Sequence, residues 1–242
     1  MGKSLEWLKE QVDQVVFDDK LFRVYVSDDK YIFGAHLAND KGPNYFSLST
    51  IYDSIVMLNK YIRMSFDLAA QCEPTENLLE HDMIGKPPAN EVVAIYYIEN
   101  MIFRIETLWD LLAQLCNEFW LTRFPIEKLY AENFFHNLQQ GQNAKVFAKE
   151  IYQYFKEEEE LKDDTEFWKG NYKYIKEYRN KMTHRNSPSI ATMSNFDFFF
   201  FFFTMFVLKR ATEVYIKVSE FIKEILDEIK EYFSNNNIFG DR

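Results

Sequence analysis

The stretch from Tyr178 to Asn186, YRNKMTHRN, places a guanidinium, an amide and an imidazole at Arg179, Asn180 and His184. Between Lys169 and Arg185 six Lys/Arg stand against one acid, Glu177, a local balance of +5 in a chain whose formal charge is −10. Such a reversal points to a phosphate-bearing partner that is met at one place. An imidazole titrates near neutral pH and can take or give a proton, and a guanidinium neutralises phosphate oxygens through a fixed fork of donors. The trio is a candidate for phosphodiester chemistry, with Lys173, Lys176, Lys181 and Arg185 as candidate phosphate contacts.

Positioning these groups calls for helices. Only seven Gly and six Pro interrupt 242 residues, so long helices with few tight turns are expected. Residues 4–16 read as a short amphipathic helix, after which Leu21–Val26 and Tyr31–Leu37 can pair as a small hairpin around Ser27-Asp28-Asp29. Ile51, Ile55, Leu58, Ile62, Phe66 and Ala69 recur at helical spacing over 48–70, and Cys72–Pro88, with three prolines, reads as a linker. Asn90 caps a long helix to about Trp120, with its stripe at Ile98, Met101, Ile102, Ile105, Trp109, Leu112, Cys116 and Phe119. Glu99, Glu106, Asp110 and Asn117 line one flank of that stripe as an acidic rail.

Two shorter helical patterns, over 126–138 and 144–158, lead into the acid-rich run Glu157–Glu166, which reads as a solvated helix end and loop. A helix over 165–182 carries the basic segment, and Ser187-Pro188 breaks the chain soon after it. The last element, over 195–233, keeps a 3,4 seam through Leu208, Ala211, Tyr215, Val218, Ile222, Ile225, Ile229 and Tyr232. Phe198–Phe203 are six consecutive phenylalanines, which would cover every face of a helix and therefore need enclosure all round. The expected organisation is all-α, with an extension over 1–43 (a helix and the small β-hairpin) and a helical bundle over 44–242 that closes on a long C-terminal helix.

On a helical wheel Trp168, Tyr172, Ile175 and Met182 form the apolar stripe of the basic segment, and Arg179 falls inside it. A guanidinium there requires a carboxylate, backbone carbonyls or a ligand phosphate, because an unpaired charge in low dielectric costs several kcal/mol. Glu99 and Glu106 are the expected intramolecular partners. Lys169, Lys173, Lys176, Asn180 and His184 gather on the neighbouring face, with Asn180 and His184 four apart and adjacent. The plainer account makes Arg179 a structural ion pair in a bundle and His184 a helix C-terminal residue favoured by the macrodipole. His36, His81 and His136 lie in unrelated contexts and carry no assigned role.

The hexapeptide RNKMTH, Arg179 to His184, resembles the R-x4-6-H motif of the HEPN superfamily, in which the residue after the arginine is commonly Asn, Asp or His. Asn180 fits that slot, and the resemblance extends over about 45–235, although its specific part is these six residues. The resemblance implies an α-helical bundle with the motif near a helix end. It further implies a homodimer whose two motifs face each other as a metal-independent endoribonuclease site. In that reading His184 is the general acid/base, Arg179 orients or neutralises the phosphate, and Asn180 supports the geometry. RNA carries its own nucleophile in the 2′-hydroxyl, so no metal and no cofactor is required. Lys176, Lys181 and Arg185 would track the backbone, with Tyr174 or Tyr178 as base-stacking platforms or, equally, packing residues.

The rest of the chain narrows the alternatives. There is no GxGxxG, no GxxxxGK[ST], no HExxH, no ExxH and no nucleophile elbow. Cys72 and Cys116 form no CxxC pair and read as free thiols in a reducing compartment, with zinc excluded. A pI near 5.0 argues against wrapping duplex DNA, which needs many cationic phosphate contacts. The charged, amphipathic start lacks a signal core, Glu6 stands where myristoylation would want Ser or Thr, and Phe198–Leu208 is too short to span a bilayer. The expectation is a cytoplasmic protein without membrane segments that dimerises, meets RNA or a nucleotide, and belongs to a toxin or defence system with an antitoxin-like partner. Two other readings compete with it: a non-catalytic HEPN-like module that binds a nucleotide, RNA or protein, and a helical oligomerisation scaffold.

Overall fold

The computed structural model of the chain describes residues 4–27, 30–33, 42–74, 88–140, 145–160, 167–184 and 204–235. Among them are seven α-helices: α1 (Leu5–Asp13), α2 (Tyr45–Gln71), α3 (Ala89–Phe119), α4 (Ala131–Leu138), α5 (Val146–Lys156), α6 (Asn171–His184) and α7 (Thr204–Asn235). Ser4 caps α1 by accepting from the Trp7 amide at 3.3 Å. The expected hairpin is present as β1 (Arg23–Ser27) and β2 (Lys30–Phe33), antiparallel with Arg23 opposite Phe33. The fold is all-α in its bulk. No helix among the described residues is long and apolar enough to cross a membrane. Phe198–Phe203, most of the linker before α3 and the end of the acid run lie outside the described residues.

The chain divides into two compact units, to both of which α2, α3, α5 and α7 contribute. One unit gathers Met1–Val15, Lys60–Thr107 and Gln153–Lys217, so α1 belongs with it and the hairpin does not. Its core is Leu8, Val12, Ile62, Phe66, Ile98, Met101, Ile102, Ile105, Ile175, Leu208, Ala211 and Tyr215, all buried. Arg63 fastens α1 there, donating to Asp13 at 2.7 Å and to the Val15 carbonyl at 3.3 Å. The other unit gathers Val16–Asn59, Leu108–Tyr152 and Val218–Arg242. Trp109, Leu112, Cys116, Phe134, Phe135, Ile222 and Ile225 are buried in it, and the hydroxyls of Tyr45 and Tyr52 donate to the carbonyls of Phe22 and Asp18. The basic segment lies wholly within the first unit.

Candidate functional site

The basic segment is shorter as a helix than its periodicity suggests, and the difference defines the site. Phe167–Lys169 are not helical; the chain turns at Gly170, whose φ is +71°, and α6 opens at Asn171. Trp168 is therefore off the helix, against the expected stripe. A Cβ at Gly170 would stand 2.7 Å from the Glu159 Cα and 2.8 Å from its nitrogen, so only glycine admits both this φ and the backbone that lies on it. That backbone belongs to the acid run. Glu160 pairs antiparallel with Lys169, its carbonyl accepting from the Lys169 amide at 3.1 Å.

Beneath this crossing sits a buried polar cluster that the sequence reading missed. Arg210 of α7 is 0% exposed; its Nε donates to Asn171 Oδ1 at 2.8 Å, Nη1 pairs with the Glu159 carboxylate, and Nη2 reaches the Lys169 carbonyl at 3.4 Å. The Asn171 amide is used from both ends, since its Nδ2 donates to the Trp168 carbonyl at 2.7 Å and to Glu213. Glu213, 3% exposed, also accepts from the Trp168 amide at 3.0 Å. The guanidinium lies 4.2 Å from the Tyr174 ring centre, with Phe206 and Trp168 at 5.4 and 5.9 Å. Burial pushes the Tyr174 hydroxyl up from its ordinary range, with Arg210 opposing and Glu159 adding to the shift.

The acid run is consequently not only a solvated loop. Three consecutive carboxylates each hold one cation: Glu158 pairs with Lys173 at 3.4 Å, Glu159 with Arg210, and Glu160 with Lys169 at 2.9 Å. The middle pair reaches a fully buried guanidinium, whereas the outer two lie in solvent. A visible sequence signal existed, a run of acids a few residues before a run of bases. Composition could not say that the two are laid against each other.

From this anchored start α6 runs toward the candidate trio. Tyr172, Ile175 and Tyr178 are its buried face. Burial first, then the nearby Glu99 carboxylate, holds the Tyr178 hydroxyl well above the usual tyrosine range. At 2% exposed, Tyr178 is a packing residue rather than a platform for a base. Glu99 thus faces α6, as expected, but toward Tyr178. Arg179 is half-buried; Nη1 donates to Asn180 Oδ1 at 3.2 Å, Nε is buried without a partner, and among the described residues neither Glu99 nor Glu106 pairs with it. The anticipated ion pair is replaced by a neighbour's amide oxygen.

Thr183 closes the turn, donating to the carbonyls of Arg179 at 3.2 Å and Asn180 at 3.1 Å. Lys173 is exposed, Lys176 lies 5.8 Å from the Tyr172 ring centre and Lys181 is half-buried. His184 is the last residue of α6; its side chain, and Arg185 altogether, lie outside the described residues. No group of three or more His, Cys, Asp or Glu among the described residues could hold a metal ion. No protein-family model, curated protein or solved structure matches the chain.

Proposed function

We propose that the protein is a HEPN-like, metal-independent endoribonuclease that works as a homodimer, with Arg179, Asn180 and His184 of each subunit at the site. The observation that carries this reading is the state of Arg179. The residue is half-buried near the end of α6 and bound to the neutral amide of Asn180, with its Nε unused. A guanidinium so placed keeps its charge for an incoming anion, and Asn180 fixes the plane of its fork. Asn180 and His184 are four residues apart on α6, so the two positions are neighbours on one helix face.

The reaction follows from RNA itself. The 2′-oxygen attacks the adjacent phosphorus while an imidazole takes its proton. The bond to the 5′-oxygen breaks, that oxygen leaves with a proton from the second subunit's imidazole, and a 2′,3′-cyclic phosphate and a 5′-hydroxyl remain. Arg179 neutralises the charge that gathers on the non-bridging oxygens. The test is single-stranded RNA incubated in EDTA with the wild type, His184→Ala and Arg179→Ala. Cyclic-phosphate ends from the wild type are expected, with each variant slower by about a hundredfold or more. Equal cleavage by all three proteins, or none by the wild type, removes the ribonuclease reading.

A further inference from the structure

The pairing of the acid run with the basic helix leads to a statement about how the same site is controlled, and it rests on the RNA-binding reading above. Glu158, Glu159 and Glu160 form an extended strap across the N-terminal end of α6, seated on Gly170. Two of the three cations it holds, Lys169 just before the Gly170 turn and Lys173 in the first turn of α6, stand at the start of the basic stretch that continues along α6 through Lys176 to Asn180 and His184. Spaced carboxylates on an extended backbone present to lysines what a single-stranded phosphate chain presents.

We infer that the strap is an internal polyanion mimic: Glu158 and Glu160 occupy Lys173 and Lys169 in the free protein, and a nucleic-acid backbone must displace them to use the full basic row. Two features make displacement feasible without unfolding. The strap is pinned at its centre by Glu159 on the fully buried Arg210, so the backbone stays in place when the outer carboxylates let go. Those outer pairs are exposed, with side-chain exposures of 51% and 86% for Lys173–Glu158 and 49% and 57% for Lys169–Glu160. Pairs of that kind are weak and screened by salt, whereas in the pinned pair the guanidinium is wholly buried and also held by Asn171 and the Lys169 carbonyl, although the Glu159 side chain is itself 57% exposed. The arrangement admits long polyanions, which offer several phosphates at once, and disfavours isolated phosphate.

The experiment is fluorescence anisotropy of a labelled single-stranded RNA whose 2′-hydroxyls are methylated, so that it lacks the nucleophile and is not cut, against the full chain, comparing wild type with Glu158→Gln/Glu160→Gln. A charge control, Glu127→Gln/Glu231→Gln, changes two exposed acids remote in sequence by the same amount. The strap variant is expected to bind about three- to tenfold tighter at ~0.05 M salt, the gain shrinking toward ~0.3 M, while the control changes less than about twofold. Unchanged far-ultraviolet dichroism is expected for every variant, because only exposed pairs are removed. Equal affinities of strap variant and control would overturn the mimic and leave the RNA-binding reading standing. Absence of RNA binding by every protein would sink both.

Discussion

Two arginines of this protein sit in opposite circumstances, and the contrast predicts how each responds to removal. Arg210 spends its guanidinium on Asn171, Glu159 and the Lys169 carbonyl while buried against Tyr174. Truncation to alanine strands the Asn171 oxygen and leaves a cavity beside the Tyr174 ring, so Arg210→Ala is expected to cost about 3–5 kcal/mol in urea denaturation. Arg179 is half-buried with a hydrogen bond to an amide oxygen and no carboxylate partner among the described residues, so Arg179→Ala is expected to cost under about 1 kcal/mol. A loss at Arg179 as large as that at Arg210 would make it a structural residue and take away the anchor of the proposed site. The two were not equally legible. Arg179 stands in a basic run visible by counting charges, whereas Arg210 is buried by partners 39 and 51 residues away along the chain, which no local window contains.

The long helices were readable because their apolar spacing is unbroken. In α3, Ile98, Met101, Ile102, Ile105, Trp109, Leu112 and Cys116 are all at most 1% exposed, as their periodicity predicts. The start of α6 was read six residues too early, at Thr165 instead of Asn171, for a physical reason. Lys169 is claimed by a backbone pairing with Glu160, and Gly170 turns the chain under the strap; tertiary contacts here outweigh local helical preference. The element therefore has a single weak point. Gly170→Ala places a side chain at positive φ, which costs about 1–3 kcal/mol, and drives its Cβ against the Glu159 backbone. A drop in the urea midpoint beyond that of φ strain alone is expected, together with faster amide exchange at Lys169, whose hydrogen bond to Glu160 depends on the crossing. Unaltered exchange at Lys169 in this variant would show that the strap does not need the glycine seat.

For the whole molecule, the buried phenols set a limit on the alkaline side. Tyr174, Tyr178 and Tyr215 of one unit and Tyr52 of the other all have their ionisation pushed upward, chiefly by burial, from an ordinary value of 10.0. The folded state keeps these protons while the unfolded chain releases them, so the stability they confer is complete below about pH 10 and falls as pH rises past it. Cys116 acts in the same direction from its ordinary 9.0, because burial and then Glu228 disfavour its thiolate. For the deeply buried tyrosines the slope is about 1.4 kcal/mol per pH unit for each hydroxyl. A second effect runs in parallel: the chain already carries −10, and loss of lysine charge increases its self-repulsion. Salt separates the two, since repulsion between exposed charges is screened at ~0.5 M and the retention of buried protons is not. Urea midpoints measured from pH 8 to 11 in high salt should therefore still fall above pH 10. Tyr178→Phe should flatten that fall by about one hydroxyl's share without changing stability at pH 8 by more than about 1 kcal/mol. A fall abolished by salt and indifferent to Tyr178→Phe would assign alkaline unfolding to net charge alone and show that the α6 face opens readily to water.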